Sequence, residues 1–160
     1  MKYATLLISA SLLATPVWAH GPQGHETHPA AVKQQKPWGI AGTAREVKRT
    51  ITLTMTDDMR FTPDRLDVQQ GETVRLRVRN AGKLLHELVI GTPQELAAHA
   101  EQMAKHPGME HDEPYMVHVD PGKTGEIIWT FNRAGEFEFA CLIAGHYQAG
   151  MKGRVTVRAR

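Results

Sequence analysis

The sequence predicts an all-β fold, a β-sandwich with one short helical insertion. Three observations predict it. Short runs alternate apolar and polar residues, most plainly Val74, Leu76 and Val78 against Arg75, Arg77 and Arg79, the period of a half-buried strand. Glycine and proline turns separate these runs, as in antiparallel sandwiches. A single segment, opening at Thr92-Pro93-Gln94-Glu95, carries helix-start chemistry. With 160 residues and 41% hydrophobic composition, the chain suits one domain with a sizeable core.

In chain order, residues 1–19 read as a secretory signal peptide. Lys2 supplies the positive start, residues 4–14 the apolar stretch, and Val17-Trp18-Ala19 the small-x-small cleavage site. A membrane anchor would need about 20 apolar residues, and Ser9, Ser11, Thr15 and Pro16 interrupt the run. The expectation is therefore a periplasmic protein with no membrane anchor after cleavage. Residues 20–45 are polar, lack either period and are broken by Pro22, Pro29 and Pro37. They read as a flexible leader carrying His20, His25 and His28. The folded domain is expected at residues 46–160.

Within it, Val47, Ile51, Leu53 and Met55 share one parity against threonines, and Val74, Leu76 and Val78 follow. His86, Leu88 and Ile90 form one face of a third strand. Ile127, Trp129 and Phe131 form a fourth, Phe137, Phe139 and Cys141 a fifth, and Val155 and Val157 a last. The helix continues through Leu96, Ala97, Ala100, Met103 and Ala104 and stops at Pro107-Gly108. Lying between strand regions, it belongs on the outside of the sandwich.

Charge and cysteine count narrow the function. Lys+Arg total 19 and Asp+Glu 17, for a net +2, so phosphate neutralisation of a nucleic acid is not the driving interaction. The arginine stripe is read as a solvated outer face. One cysteine excludes an internal disulfide, two-cysteine metal centres and iron–sulfur clusters. A lone thiol in an oxidising compartment needs protection, which makes Cys141 the residue to explain.

The informative run is Cys141-x4-His146-x4-Met151, with Gly145 and Gly150 directly before the second and third members. A thiolate, an imidazole and a thioether recur between two strands, and glycine permits the tight turns that would aim them at one point. His86, inward-facing by parity, is the candidate fourth donor. Soft sulfur donors select copper, and His2Cys with a weak Met is the blue-copper donor set. Zinc competes but seldom recruits a thioether. A Cys–His nucleophile pair would leave Met151 and His86 without a role.

This run, with His86 far upstream, resembles the type 1 copper signature of the cupredoxins over about residues 46–160. The segments from Asn80 to Leu88 and from Met109 to Pro114 resemble, more narrowly, periplasmic cupredoxins linked to copper tolerance. The resemblance implies a Greek-key β-sandwich, one type 1 copper per chain, and His86, Cys141, His146 and Met151 as its ligands. One position departs from plastocyanin- and azurin-like members: Glu87 stands where they have an asparagine tying the two ligand loops together.

The implied function is copper tolerance, single-electron transfer, or both, with a redox partner or a copper-handling protein as partner. Leu142, Ile143, Ala144, Tyr147 and Ala149 are candidates for a docking patch. An enzyme is not expected, since copper oxidases of this kind need further domains and a second copper centre. The alternatives are a copper oxidase component and, ahead of it, a copper carrier or buffer. It would use an accessory site drawn from His99, Met103, His106, Met109, His111 and Met116, of which His99, Met103 and His106 have spacings that one helix face can hold.

Overall fold

The computed structural model describes residues 33–107 and 112–160. The signal peptide, the leader histidines, Met109 and His111 lie outside the described residues. Ten strands and one α-helix follow in the order β1 (Ile40–Ala41), β2 (Arg49–Thr56), β3 (Arg60–Thr62), β4 (Arg65–Gln69), β5 (Glu72–Asn80), β6 (His86–Gly91), α1 (Pro93–Lys105), β7 (Met116–Val119), β8 (Thr124–Phe131), β9 (Gly135–Ala140) and β10 (Lys152–Arg158). A short 3-10 turn, Ala44–Glu46, lies between β1 and β2. The strands form two five-stranded sheets, ordered β1-β8-β5-β2-β3 and β4-β10-β9-β6-β7.

The alternation that predicts the strands is what buries the core. Val74, Leu76 and Val78 of β5 meet Leu53 and Met55 of β2 and Ile127, Trp129 and Phe131 of β8 from the first sheet. Leu66 and Val68 of β4, Leu88 and Ile90 of β6, Phe137 and Phe139 of β9, and Val155 and Val157 of β10 close on them from the second. Full burial of one such aliphatic side chain contributes about 1.5–3 kcal/mol. The structure departs from a purely antiparallel sandwich in two places. β2 pairs with β5 in parallel, Ile51 opposite Leu76, and β4 pairs with β10 in parallel, Leu66 opposite Val155. Neither pair is consecutive in the chain, so each arises from a crossover between sheets, which local alternation does not encode.

The ordered domain also begins before residue 46. Trp38 is buried, its carbonyl accepts the Trp129 indole N–H at 3.0 Å, and Ile40 and Ala41 pair with Thr130 and Trp129 of β8. Residues 33–45, read from composition as leader, therefore add an edge strand. A two-residue strand is too short for any period to register.

Helix α1 covers the outer face of the second sheet. Thr92 caps it: its hydroxyl donates to Glu95 Oε2 at 2.7 Å and accepts the Glu95 N–H at 3.3 Å. Leu96, Ala100 and Met103, at i, i+4 and i+7, pack with Val89, Met116, Ala140 and Leu142 in a second apolar cluster. β6 is thus covered on both faces, and all six of its residues are buried. None of the helices among the described residues is long and apolar enough to cross a membrane.

Candidate metal centre

β6 and β9 are antiparallel neighbours, with Val89 opposite Ala140. That register brings the start of β6, His86, beside the end of β9, after which Cys141 follows directly. The loop over residues 141–151 is closed by its own backbone. Cys141 N–H donates to Met151 C=O at 3.0 Å, Met151 N–H to His146 C=O at 3.0 Å, and His146 N–H to Ile143 C=O at 2.9 Å. Gly145 at φ +89° and Gly150 at φ +91° supply the left-handed turns that a side-chain-bearing residue adopts only with strain.

The result is one cluster. Donor atoms of His86, Cys141 and His146 lie within 4.8 Å of one another. Cys141 Sγ is 3.3 Å from His146 Nδ1, and the two imidazole rings are 5.0 Å apart at 52°. Met151 is fully buried in the main core with Cys141. Of these four residues only His146 has exposed surface.

The electrostatics are those of a cation site. Burial pushes the Cys141 thiol up to about 12, against a hydrogen bond from the Glu87 amide that favours the thiolate. A proton or a metal ion must therefore neutralise this sulfur. Desolvation and then the neighbouring His86 hold His146 below the usual histidine range, favouring the neutral imidazole that can donate a lone pair. His86 Nδ1 is buried without a hydrogen-bond partner. A buried ring nitrogen left so is costly, and a bound cation would remove that cost.

Two carboxylates organise the cluster. Glu87 is fully buried. Its Oε1 accepts the Leu142 N–H at 2.8 Å, and its backbone N–H donates to Cys141 Sγ at 3.5 Å. It therefore ties the β6 ligand strand to the 141–151 loop, with a carboxylate in place of an amide. Its Oε2 lies 2.9 Å from His118 Nε2, directly across the β6–β7 ladder. Asp57, in the turn between β2 and β3, approaches His86 Nε2 at 3.1 Å and accepts the Lys83 N–H at 2.8 Å. The Lys83 hydrogen bond is the largest influence holding its carboxyl below the usual carboxylate range. The sequence reading missed Asp57, because nothing local marks a turn aspartate as the neighbour of a histidine 29 positions on.

Among the described residues the accessory donors divide between packing and surface, and Met109 and His111 lie outside those residues. Met103 and Met116 are core residues of the helix–sheet cluster. His106 is the exposed C-cap of α1, and His99 is half-buried. At helical spacing, apolar packing claimed Met103 and left His106 in solvent. The residues expected at a docking patch are not all at the surface. Leu142 is buried against α1, whereas Leu84 and Leu85, just before His86, are exposed at 47% and 41%.

A two-sheet β-sandwich with a Cys/His/His cluster where two adjacent strands end is the architecture of a single-domain metal-binding protein. The chain belongs to the cupredoxin-like domain family, which matches residues 30–157. It is 45% identical to the copper-resistant cuproprotein CopI of Rubrivivax gelatinosus, over 96% of this chain and 94% of that protein. It is 34% identical to the protein of the same name from Pseudomonas aeruginosa, over 96% and 91%. Auracyanin from Roseiflexus castenholzii shares the fold at a TM-score of 0.61 and 24% identity, covering 70% of this chain and 98% of that one. An azurin from Methylomonas shares it at 0.56 and 13%, covering 70% and 99%.

Proposed function

We propose that this chain is a periplasmic type 1 copper protein that acts in copper tolerance by single-electron exchange. His86, Cys141, His146 and Met151 would hold one copper per chain. The observation that carries this reading is the convergence of Cys141 Sγ with the two imidazoles, where His86 Nδ1 has no protein partner. The donor set fits copper: one thiolate and two neutral imidazoles, with a thioether closing the loop. The copper, when bound, supplies a reversible one-electron couple.

The chain's own groups make that exchange fast and confined. Backbone hydrogen bonds within residues 141–151 hold the donors in place before any metal arrives, so little rearrangement accompanies a change of charge. Burial of His86, Cys141 and Met151 excludes water and bulky substrates. His146, partly exposed, offers the route for an electron to leave. These features support a carrier of electrons rather than an enzyme. Leu84 and Leu85, just before His86, and Ala144, two residues before His146, are exposed, apolar surface suited to brief contact with a redox or copper-handling partner. The relatives named for copper resistance support the role in copper tolerance, and the reading of residues 1–19 supports the compartment.

The test is a visible spectrum of the copper-loaded, signal-free protein with copper counted per chain. One copper with an intense thiolate-to-Cu(II) band is expected. A colourless protein binding copper elsewhere would overturn the reading.

A further inference from the structure

We propose that Asp57 is a positioning residue of the metal centre, which holds the His86 ring with Nδ1 presented to the ligand cluster and keeps the loop leading into His86 in place. The inference rests on the type 1 reading above and deepens it.

The carboxylate spans both tasks. Oδ2 accepts the Lys83 N–H at 2.8 Å, Oδ1 accepts the Leu84 N–H at 3.3 Å, and the same Oδ1 lies 3.1 Å from His86 Nε2. A carboxylate only accepts hydrogen bonds, so in the neutral ring Nε2 carries the proton and Nδ1 keeps its lone pair. Nδ1 is the buried nitrogen without a partner. One oxygen thus selects the ring nitrogen that can ligate.

Asp57 is itself held rigidly. Met59 N–H donates to Thr56 C=O at 3.1 Å, Met59 adopts φ +61°, and the Thr56 hydroxyl donates to Asp58. Across from it, a Cβ on Gly82 would meet Asp57 Oδ1 at 2.0 Å, so the loop approaches this carboxylate as closely as only glycine allows. Asn80 secures the same loop from inside, donating to Leu84 C=O and Val119 C=O at 2.8 Å. Carboxylate partners of ligating histidines fix the ring and raise its basicity, and losing one typically costs 10–100-fold in metal affinity. A negative charge at that place also favours the more positive Cu(II) over Cu(I).

The experiment compares the parent with Asp57→Ala and Asp57→Asn, with circular dichroism as the control for folding. Long-range 1H–15N NMR of the metal-free parent should show His86 protonated at Nε2, and Asp57→Ala should lose that preference. Cu(II) affinity should fall at least tenfold in Asp57→Ala. Asp57→Asn, which keeps an oxygen acceptor but no charge, should keep the visible band and shift to a higher reduction potential. Parent-like Cu(II) affinity and potential in the folded variants would overturn the proposal, whatever the tautomer. If Asp57→Ala does not fold, Asp57→Asn decides through its potential. Absence of the thiolate band in the parent would instead sink the type 1 reading. The metal-free tautomer then decides for Asp57: loss in Asp57→Ala supports it, and no difference overturns it.

Discussion

Two regions of this chain are built from the same donor types and end differently. In residues 141–151 a cysteine and a histidine fold back beside His86, their donor atoms within 4.8 Å of one another, and Met151 is buried in the same core as Cys141. Between residues 99 and 118, histidines and methionines alternate just as densely, yet the structure sends Met103 and Met116 into apolar packing and His106 to the surface. The difference is backbone closure. The 141–151 loop is pinned by strand ends and by its own hydrogen bonds, and it brings Cys141 and His146 to the same place as His86. A helix spreads its side chains around an axis and buries whichever are apolar. Donor composition alone therefore does not make a site.

The sharpest way to break this contrast is Cys141→Ser. The intense visible band of a copper-loaded cupredoxin needs a Cu(II)–thiolate bond, and a serine oxygen is a harder, poorer donor. We expect complete loss of the band in an absorption spectrum, with the fold retained by circular dichroism. A band that persists would move the site away from residues 141–151.

His86→Ala removes a donor and leaves the Asp57 carboxylate without its ring partner. The sandwich should still form, since the two sheets close on many other residues. Copper affinity, measured by competition with a chelator, should fall at least tenfold and the spectrum should change. Unchanged affinity and spectrum would show that the convergence of His86 with the loop does not serve the metal.

How much of this was legible in the sequence follows from the range of each signal. The Cys141, His146 and Met151 spacing lies within one loop, and the glycines before the last two mark its turns, so the loop could be read directly. His86 was reached by strand parity, because it shares a face with Leu88 and Ile90, although β6 is buried on both faces. Glu87 stood out against the family's asparagine, but its partner His118 depends on the β6–β7 register, which no local pattern states. Asp57 was invisible for the same reason, as its role arises from a turn on the other sheet. Trp38 lay in a stretch whose polar, proline-rich composition masked one buried anchor and a two-residue strand. Met103, a candidate accessory donor by spacing, is buried in the helix–sheet cluster, since helical spacing fits a metal face and a core face equally well.

Met151→Leu probes the cluster with a smaller effect. The thioether bond to a blue-copper centre is long and weak, and leucine is close in volume and apolar, so packing should change by less than about 1.5 kcal/mol. Copper should stay bound. Without the sulfur donor, and with water still excluded, the less charged Cu(I) is favoured and the reduction potential should rise. Voltammetry of variant and parent under the same conditions checks this. A lowered or unchanged potential, with copper fully bound in both, would remove Met151 from the ligand set.

The smallest effect belongs to the other region. Met103→Leu combined with Met116→Leu replaces two thioethers by apolar groups of similar volume in a cluster that also holds Val89, Leu96, Ala100, Ala140 and Leu142. If these methionines serve packing, each change costs less than about 1.5 kcal/mol, whereas Met103→Ala should cost about 2–5 kcal/mol through the cavity it opens. Copper stoichiometry and Cu(I) affinity should be the same in the double variant as in the parent, because both methionines are buried members of a packed apolar cluster. Thermal melts and a Cu(I) titration against a strong chelator read the two halves of this prediction separately. A copper equivalent lost in the Leu/Leu protein without loss of stability would make the excursion a second metal region and erase the contrast with residues 141–151.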